Sequence, residues 1–345
     1  MRDEGRSTPP RVMPPSCLLL GLSLASCIIG TSESLVAGDF VRFIGFMKTF
    51  NKTYREKHEY EQRFSTFQES LRRYERLNFL SGNASGVARY GVTIFSDLSA
   101  PEFEGYLGLG RASVAPRQPL ASEIRDGTLD SLPARFDWRE KGAITAVKDQ
   151  KSCGGCWAFS CVELLESAAV RSGRPLKALS EQQVLDCSRN NYGCSGGHVL
   201  LALKWLNQTR VQVVEDSRYP FVGAAGPCRN FSSSTSGVCV QNYYWRSYRN
   251  CEKRMQAILL KEGPLAITVD ALSWQDYLGG IIQHHCSQTY PNHAVVVIGY
   301  DTTGEIPYWI VRNSWGAQWG ISGYVHIRMF ENVCGIANEV VSVFV

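Results

Sequence analysis

Apolar residues recur at helical spacing through 157–170, at Phe159, Val162, Leu165 and Ala169, and no Gly or Pro intervenes before Gly173. The spacing predicts a helix with Cys156 near its N-terminus. Residues 39–80 carry a second, more charged pattern of helical period. Ser180 with Gln183 reads as a capping box opening a helix to about Cys187, and His198 to Asn207 and Glu252 to Glu262 keep the same period. Gly263-Pro264 breaks that pattern. Beyond it, Leu265 to Asp270, Ala294 to Tyr300, Tyr308 to Arg312 and Tyr324 to Arg328 are short β-branched and aromatic runs that read as strands. Helices followed by strands predict an α+β fold. The Gly- and Pro-containing stretch 109–131 has no clear periodicity and reads as a linker.

Composition places the chain among globular proteins, since 44% of its 345 residues are hydrophobic and 20% charged. Arg2, Arg6 and Arg11 precede an apolar run from Leu18 to Ile29. That run is shorter than the ~20 residues a membrane span requires and reads as a secretory signal cut near Gly30. No later run could span a bilayer, so stable membrane insertion is not expected. A formal charge of +4, without a Lys/Arg run, makes nucleic acid and anionic membrane poor partners. Ten of the twelve cysteines follow residue 152, so an oxidising compartment matters to the C-terminal part of the chain. Asn51, Asn83, Asn207 and Asn230 are glycosylation acceptors, consistent with a secretory route.

The partial positive charge at a helix start favours the Cys156 thiolate. A thiolate nucleophile also needs a proton acceptor and a group that orients it, and His293 and Asn313 are the candidates. Cys156 lies in Gln150-Lys151-Ser152-Cys153-Gly154-Gly155-Cys156-Trp157-Ala158-Phe159, with His293 in Asn292-His293-Ala294-Val295 and Asn313 in Asn313-Ser314-Trp315-Gly316. These segments resemble the Cys, His and Asn motifs of papain-family cysteine proteases. Gly155 stands where the family usually has Ser or Ala. Upstream, Glu59, Arg63, Phe67 and Asn78 resemble the Glu-Arg-Phe-Asn-Ile-Asn pattern of the family's inhibitory propeptide, with Ser70 and Tyr74 in place of its middle Asn and Ile. Gly91, Phe95 and Asp97 resemble the segment that follows, with Thr93 in place of Asn.

The resemblance implies a papain-like two-lobed fold, with a helical left lobe, a β-barrel right lobe and an N-terminal helical inhibitory propeptide. It divides the chain into a signal peptide at 1–30, a propeptide at 31–131 and a peptidase domain at 132–345. Cys156 would be the nucleophile, His293 the general acid and base, Asn313 the orienter of His293 and Gln150 an oxyanion donor. Trp315 would shield the His293–Asn313 bond. Gly196 and Gly197 would line the cleft, and His198, Val199, Ala294 and Glu339 would surround the main specificity pocket. A carboxylate there could pair with a substrate Arg. The resemblance pairs Cys153 with Cys194, Cys187 with Cys228 and Cys286 with Cys334. Cys161 is expected as a buried thiol, and a Cys239–Cys251 bridge stays open. It implies protein and peptide substrates, inhibition by the propeptide and by cystatin-like proteins, a monomer, and the lysosome as destination, with secretion as a second fate. No cofactor and no metal are implied.

Each residue also has a plainer reading: a His beside an apolar strand is usually structural, an Asn before Ser-Trp-Gly a turn residue. The joint order of Gln150, Cys156, His293 and Asn313, each inside a matching motif, favours catalysis. Cys153-Gly-Gly-Cys156 alone would suit a thiol–disulfide oxidoreductase, but no compact βαβ pattern surrounds it. Zinc on Cys153, Cys156, Cys187 and Cys194 would need reduced thiols in a secreted protein. A catalytically silent protease relative is disfavoured by the intact set. His284-His285 beside Cys286 would point to opposite faces if the segment is a strand, which argues against a metal site.

Overall fold

The computed structural model describes residues 37–109, 131–231 and 236–345, so the expected signal segment and nearly all of the linker lie outside the described residues. Contacts divide the chain into one compact unit up to Gln68 and a second from Glu69 to Val345. In the first unit, helix α1 covers 37–49 and helix α2, Lys57–Ser81, begins. The helical pattern over 39–80 is therefore two helices. The chain turns between them at Asn51, whose φ is +50°. Phe43, fully buried, holds this unit together, with its ring 5.3–6.0 Å from those of Phe46, Tyr54, Tyr60, Phe64 and Phe67.

The second unit takes up α2 at Glu69. Buried Asp276 accepts from Arg73 Nε at 2.5 Å and from Ser70 Oγ at 2.8 Å. Strand β1, Arg89–Tyr90, follows, and then helix α3, Ala100–Leu107, which opens on a Ser99–Glu102 capping box. The Gly91–Asp97 segment is anchored by Thr93, whose Oγ1 donates to Gln275 O at 2.5 Å, and by Gln275 Nε2, which donates to the Phe95 and Leu98 carbonyls.

Strand β2, Arg135–Asp137, leads into three helices: α4, Cys156–Arg171; α5, Glu181–Cys187; and α6, Val199–Thr209. Ser180 Oγ accepts from Gln183 N at 2.9 Å, but the Gln183 side chain bonds Gln212 O and Val214 N, so the capping box is only half formed. His198 precedes α6 as its cap, Nδ1 accepting from Leu200 N at 3.2 Å.

Strand β3, Asn242–Arg246, and helix α7, Glu252–Glu262, precede β4, Leu265–Val269; β5, Tyr277–Gly279; β6, Ile281–Ile282; β7, His293–Asp301; β8, Tyr308–Arg312; β9, Tyr324–Arg328; and β10, Val340–Phe344. The pairing order is β3-β10-β4-β7-β8-β9-β6, with β2 also on β7, while β1 pairs with β5. Among the described residues these pairings trace an open path, without the pair that would close the expected barrel.

Alternation along β7 serves two cores. Val295 and Val297 join Trp274, Trp309 and Ile267, while Ala294, Val296 and Ile298 join Cys161, Leu165 and Leu203 of α4 and α6. Period-two side chains thus place the β7 strand between a sheet-side core and a helix-side core. His293 is its first residue, and Cys156 begins the helix packed on its other face.

Phe43→Ala is expected to cost the 37–68 unit about 3–5 kcal/mol, the usual range for a fully buried Phe. Limited proteolysis with mass readout checks it: cuts should appear within 37–68 at lower denaturant than in the wild type.

Candidate active site

The nucleophile candidate, Cys156, is the first residue of α4 and is fully buried, as are His293 and, at 1% exposure, Asn313. Asn313 directly follows β8, where its backbone N donates to Gly323 O at 3.0 Å. His293 Nε2 lies 2.8 Å from Asn313 Oδ1. The Trp315 ring lies 4.7 Å from the imidazole at 30°. The backbone N–H of Ser314 donates to the same Oδ1.

The remaining polar atoms of the site face the chain ahead of it. Leu107 O accepts from Cys156 Sγ at 2.7 Å and lies 3.0 Å from His293 Nδ1. Gln150 Nε2 donates to Tyr106 O at 2.7 Å and Cys153 O at 2.8 Å, and its Oε1 accepts from Ser314 Oγ at 2.6 Å. Gly197 N donates to Gly108 O, and Leu109 forms a parallel bridge with Gly197. The end of α3 and the two residues after it therefore cover the thiol, the imidazole and the Gln150 amide. The crossing is close enough to demand glycine: at Gly108, φ +65°, a Cβ would fall 2.3 Å from Gly154 O. At Gly197 a Cβ would meet Asn191 Oδ1 at 2.5 Å. Gly196 has φ +112°.

This burial changes the electrostatics from those of an open helix terminus. It pushes the Cys156 thiol up to about 12, despite backbone hydrogen bonds that favour the anion. It also lowers His293, against the hydrogen bonds from Asn313 and Leu107 that raise it. Burial in the covered site therefore opposes the ion pair that helix position alone suggests.

Of the specificity candidates, Val199 and Ala294 are buried, and His198 and Glu339 form a pair with Nε2 3.0 Å from Oε1. Because His198 Nδ1 accepts a backbone N–H, the Nε2 proton of the neutral ring faces the carboxylate. Glu339 Oε1 nevertheless has no aligned hydrogen bond. Thr268 is a residue that sequence reasoning missed. It sits directly opposite Ala294 in the β4–β7 register, and its Oγ1 is buried without a hydrogen-bond partner. Only the strand pairing brings the two together.

Cys153–Cys194, Cys187–Cys228 and Cys286–Cys334 are disulfides, while Cys156, Cys161, Cys239 and Cys251 are free. Cys153 is therefore tied to Cys194 and not to its C-x-x-C neighbour, and the oxidoreductase and zinc readings both lose their cysteines. Among the described residues no group of three or more His, Cys, Asp or Glu side chains could hold a metal ion. His284 and His285 lie on a bend, His285 with φ +68°, and not on a strand as expected, because β6 ends at Ile282. Asn51, Asn83 and Asn230 are exposed, whereas Asn207 lies in α6 with Nδ2 donating to Gln241 O.

The fold and site define the class. The papain family cysteine protease profile matches residues 132–344, and the cathepsin propeptide inhibitor domain matches residues 43–103. The chain belongs to the papain family: it is a cysteine protease with an inhibitory propeptide. It is 50% identical over 285 residues to human cathepsin O, covering 83% of this chain and 88% of that one. Cathepsin O of Mus musculus is likewise 50% identical, over 287 residues. Among solved structures, the recombinant stem bromelain precursor superposes with a TM-score of 0.78 at 31% identity, covering 89% of this chain and 99% of that one. Procathepsin L2 from Tenebrio molitor larval midgut superposes with 0.78 at 29% identity, covering 89% and 100%.

The neutral, covered thiol predicts that iodoacetamide at neutral pH leaves Cys156 of the intact precursor unmodified, while the processed enzyme is alkylated there. Peptide mapping reads both, and equal labelling would show that burial does not control the thiol.

Proposed function

We propose that the processed chain is an endopeptidase in which Cys156 attacks the substrate carbonyl as a thiolate and His293, as imidazolium, protonates the leaving amine. Water then hydrolyses the thioester: His293, neutral after protonating the amine, takes a proton from the attacking water, the Cys156 thiolate leaves, and the imidazolium is restored. Asn313 orients the ring, Trp315 excludes water from that hydrogen bond, and Gln150 Nε2 with the Cys156 N–H holds the oxyanion. The observation that carries this reading is the Leu107 carbonyl, whose oxygen lies within hydrogen-bond reach of both Cys156 Sγ and His293 Nδ1 and so brings thiol and imidazole to one point under a backbone segment. Removing the covering segment hydrates the site, which relieves the burial that opposes charge on both groups. We assign 1–30 to a signal peptide, 31–131 to the propeptide and 132–345 to the enzyme. The destination is the lysosome, the enzyme is a monomer, and cystatin-like proteins are its external inhibitors.

The specificity pocket follows from the same geometry. Gly196 and Gly197 pair with an extended substrate, and His198, Val199, Ala294 and Glu339 receive its side chain. The unaligned Glu339 Oε1 and the unpartnered Thr268 Oγ1 favour a substrate side chain that donates hydrogen bonds, and Arg is the best match.

Labelling with an irreversible peptidyl epoxide tests the mechanism. Wild type should gain one adduct by intact mass, and Cys156→Ser and His293→Ala none. An adduct on Cys156→Ser would overturn the assignment. For the pocket, Glu339→Ala should lower kcat/KM about 10-fold or more for an Arg-containing peptide, as expected for losing a charged hydrogen bond, and leave a Leu-containing peptide unchanged.

Maturation should depend on pH through His285, whose Nε2 lies 3.2 Å from Ser81 Oγ. Its pKa is lowered from 6.5 by burial and then by His284. A lowered His pKa means that the docked state binds fewer protons, so docking weakens as pH falls below the undocked value of about 6.5. Precursor with His285→Gln should therefore process less steeply between pH 7 and 5 than wild type, as followed by gel; an unchanged pH dependence would remove His285 from the trigger.

A further inference from the structure

We propose that Glu163 is a positioning residue for the reaction, acting through Arg312 to hold Asn313 and, with it, the His293 ring. The inference rests on the catalytic roles proposed above for Asn313 and His293.

Glu163 lies seven residues after Cys156 on α4, two turns along the same face of the helix. Its side chain is 4% exposed, in a helix whose every residue from Cys156 to Ala169 is buried. A carboxylate placed there needs a partner. That partner is Arg312, 1% exposed, the last residue of β8 and the immediate neighbour of Asn313. Arg312 Nε lies 3.2 Å from Glu163 Oε1, a charge contact off the line of a hydrogen bond. Arg312 Nη2 donates to Thr145 Oγ1 at 3.2 Å and to Ala146 O. Burial pushes Glu163 up to about 7, with Arg312 and Lys148 pulling it back.

Asn313 depends on such a hold. Its Oδ1 is engaged by His293 and Ser314, but its Nδ2 is buried with no hydrogen-bond partner. Nothing grips the far side of the carboxamide, so its direction is set by the backbone at the end of β8. That backbone is fixed by the Asn313 N–H to Gly323 O and by the anchored side chain of Arg312. The loop carrying Gln150 shares the anchor. Thr145 Oγ1 donates to Glu166 Oε2 at 2.6 Å, Lys148 Nζ reaches Glu166 Oε1 and Glu181, and Gly316 N donates to Lys148 O. Glu166 and Glu181 tie that loop to the helices, while Glu163 is the link from the helix that bears the thiol to the strand end that bears the orienter.

The test is a double-mutant cycle on processed enzyme with a fluorogenic peptide. Glu163→Gln should lower kcat about 10-fold with KM within twofold, the signature of an interaction lost from the transition state only. Asn313→Ala alone should lower kcat, and Glu163→Gln added to it should lower kcat no further. Independent, multiplying losses, or a rise in KM with kcat intact, would overturn the positioning role. An Asn313→Ala enzyme with full kcat would instead overturn the catalytic reading beneath it. Should Glu163→Gln not fold, Arg312→Lys keeps the charge facing Glu163 and loses the fork to Ala146, and the same kcat-only, non-additive loss is expected. Failure of both variants to fold would overturn the proposal in favour of a purely structural pair.

Discussion

Complete burial of α4 is the constraint from which most of this structure follows. A helix exposed on one side can send its charges to water; this one is buried from Cys156 to Ala169 and cannot. Each polar side chain on it must therefore find a partner within the protein. Glu163 finds Arg312, Glu166 finds Thr145, Lys148 and the Leu179 N–H, and Ser167 finds Ala143 O. All of those partners except Leu179 lie on the segments that carry Gln150 and Asn313. The same burial that makes a helix expensive to charge thus organises the loops around its N-terminus.

Burial also reconciles a reactive thiol with a stable precursor. A helix N-terminus favours the thiolate, but the covering segment removes the water that stabilises an anion, and the second effect is larger: the thiol is pushed up to about 12. The imidazole moves the opposite way for the same reason. The segment from Tyr106 to Leu109 lays its backbone over the thiol, the imidazole and the Gln150 amide, so it adds to the burial that opposes charge on both groups. Its own carbonyls satisfy the donors that catalysis requires, Leu107 O for the thiol and Tyr106 O for Gln150.

Much of this was legible in the sequence where a local pattern and a local structure coincide. Glu252–Glu262, Tyr308–Arg312 and Tyr324–Arg328 have the boundaries their periodicity predicts. Strands β3 and β10 were not legible, because Asn242–Arg246 is partly exposed along its length and Val340–Phe344 is buried on both faces from Val340 to Val343, without alternation; each is a strand because the other pairs with it across about a hundred residues. The Ser180 box was half right, since Gln183 obtains better partners at Gln212 and Val214 than at its own helix start. In the site, motifs supplied the residues but not their state, because the charge of Cys156 depends on a segment nearly fifty residues upstream.

The residues of the proposed specificity pocket show the same division at the level of single atoms. Glu339 read from the sequence is a carboxylate five residues past a cysteine, and only the fold shows that it is 13% exposed and faces His198. The helix cap dictates the tautomer of that histidine: Nδ1 is spent on Leu200 N, so Nε2 presents its proton to Glu339. Nε2 lies 3.0 Å from Glu339 Oε1 without an aligned hydrogen bond, so the carboxylate keeps acceptor capacity to spare. Thr268 Oγ1, opposite Ala294 and unpartnered, adds a second acceptor. A pocket meant for an apolar side chain gains nothing from either atom and bears the cost of both, since buried polar groups left unpaired oppose folding. A substrate side chain that donates to both atoms would remove that cost, which is the physical basis of the Arg preference proposed above.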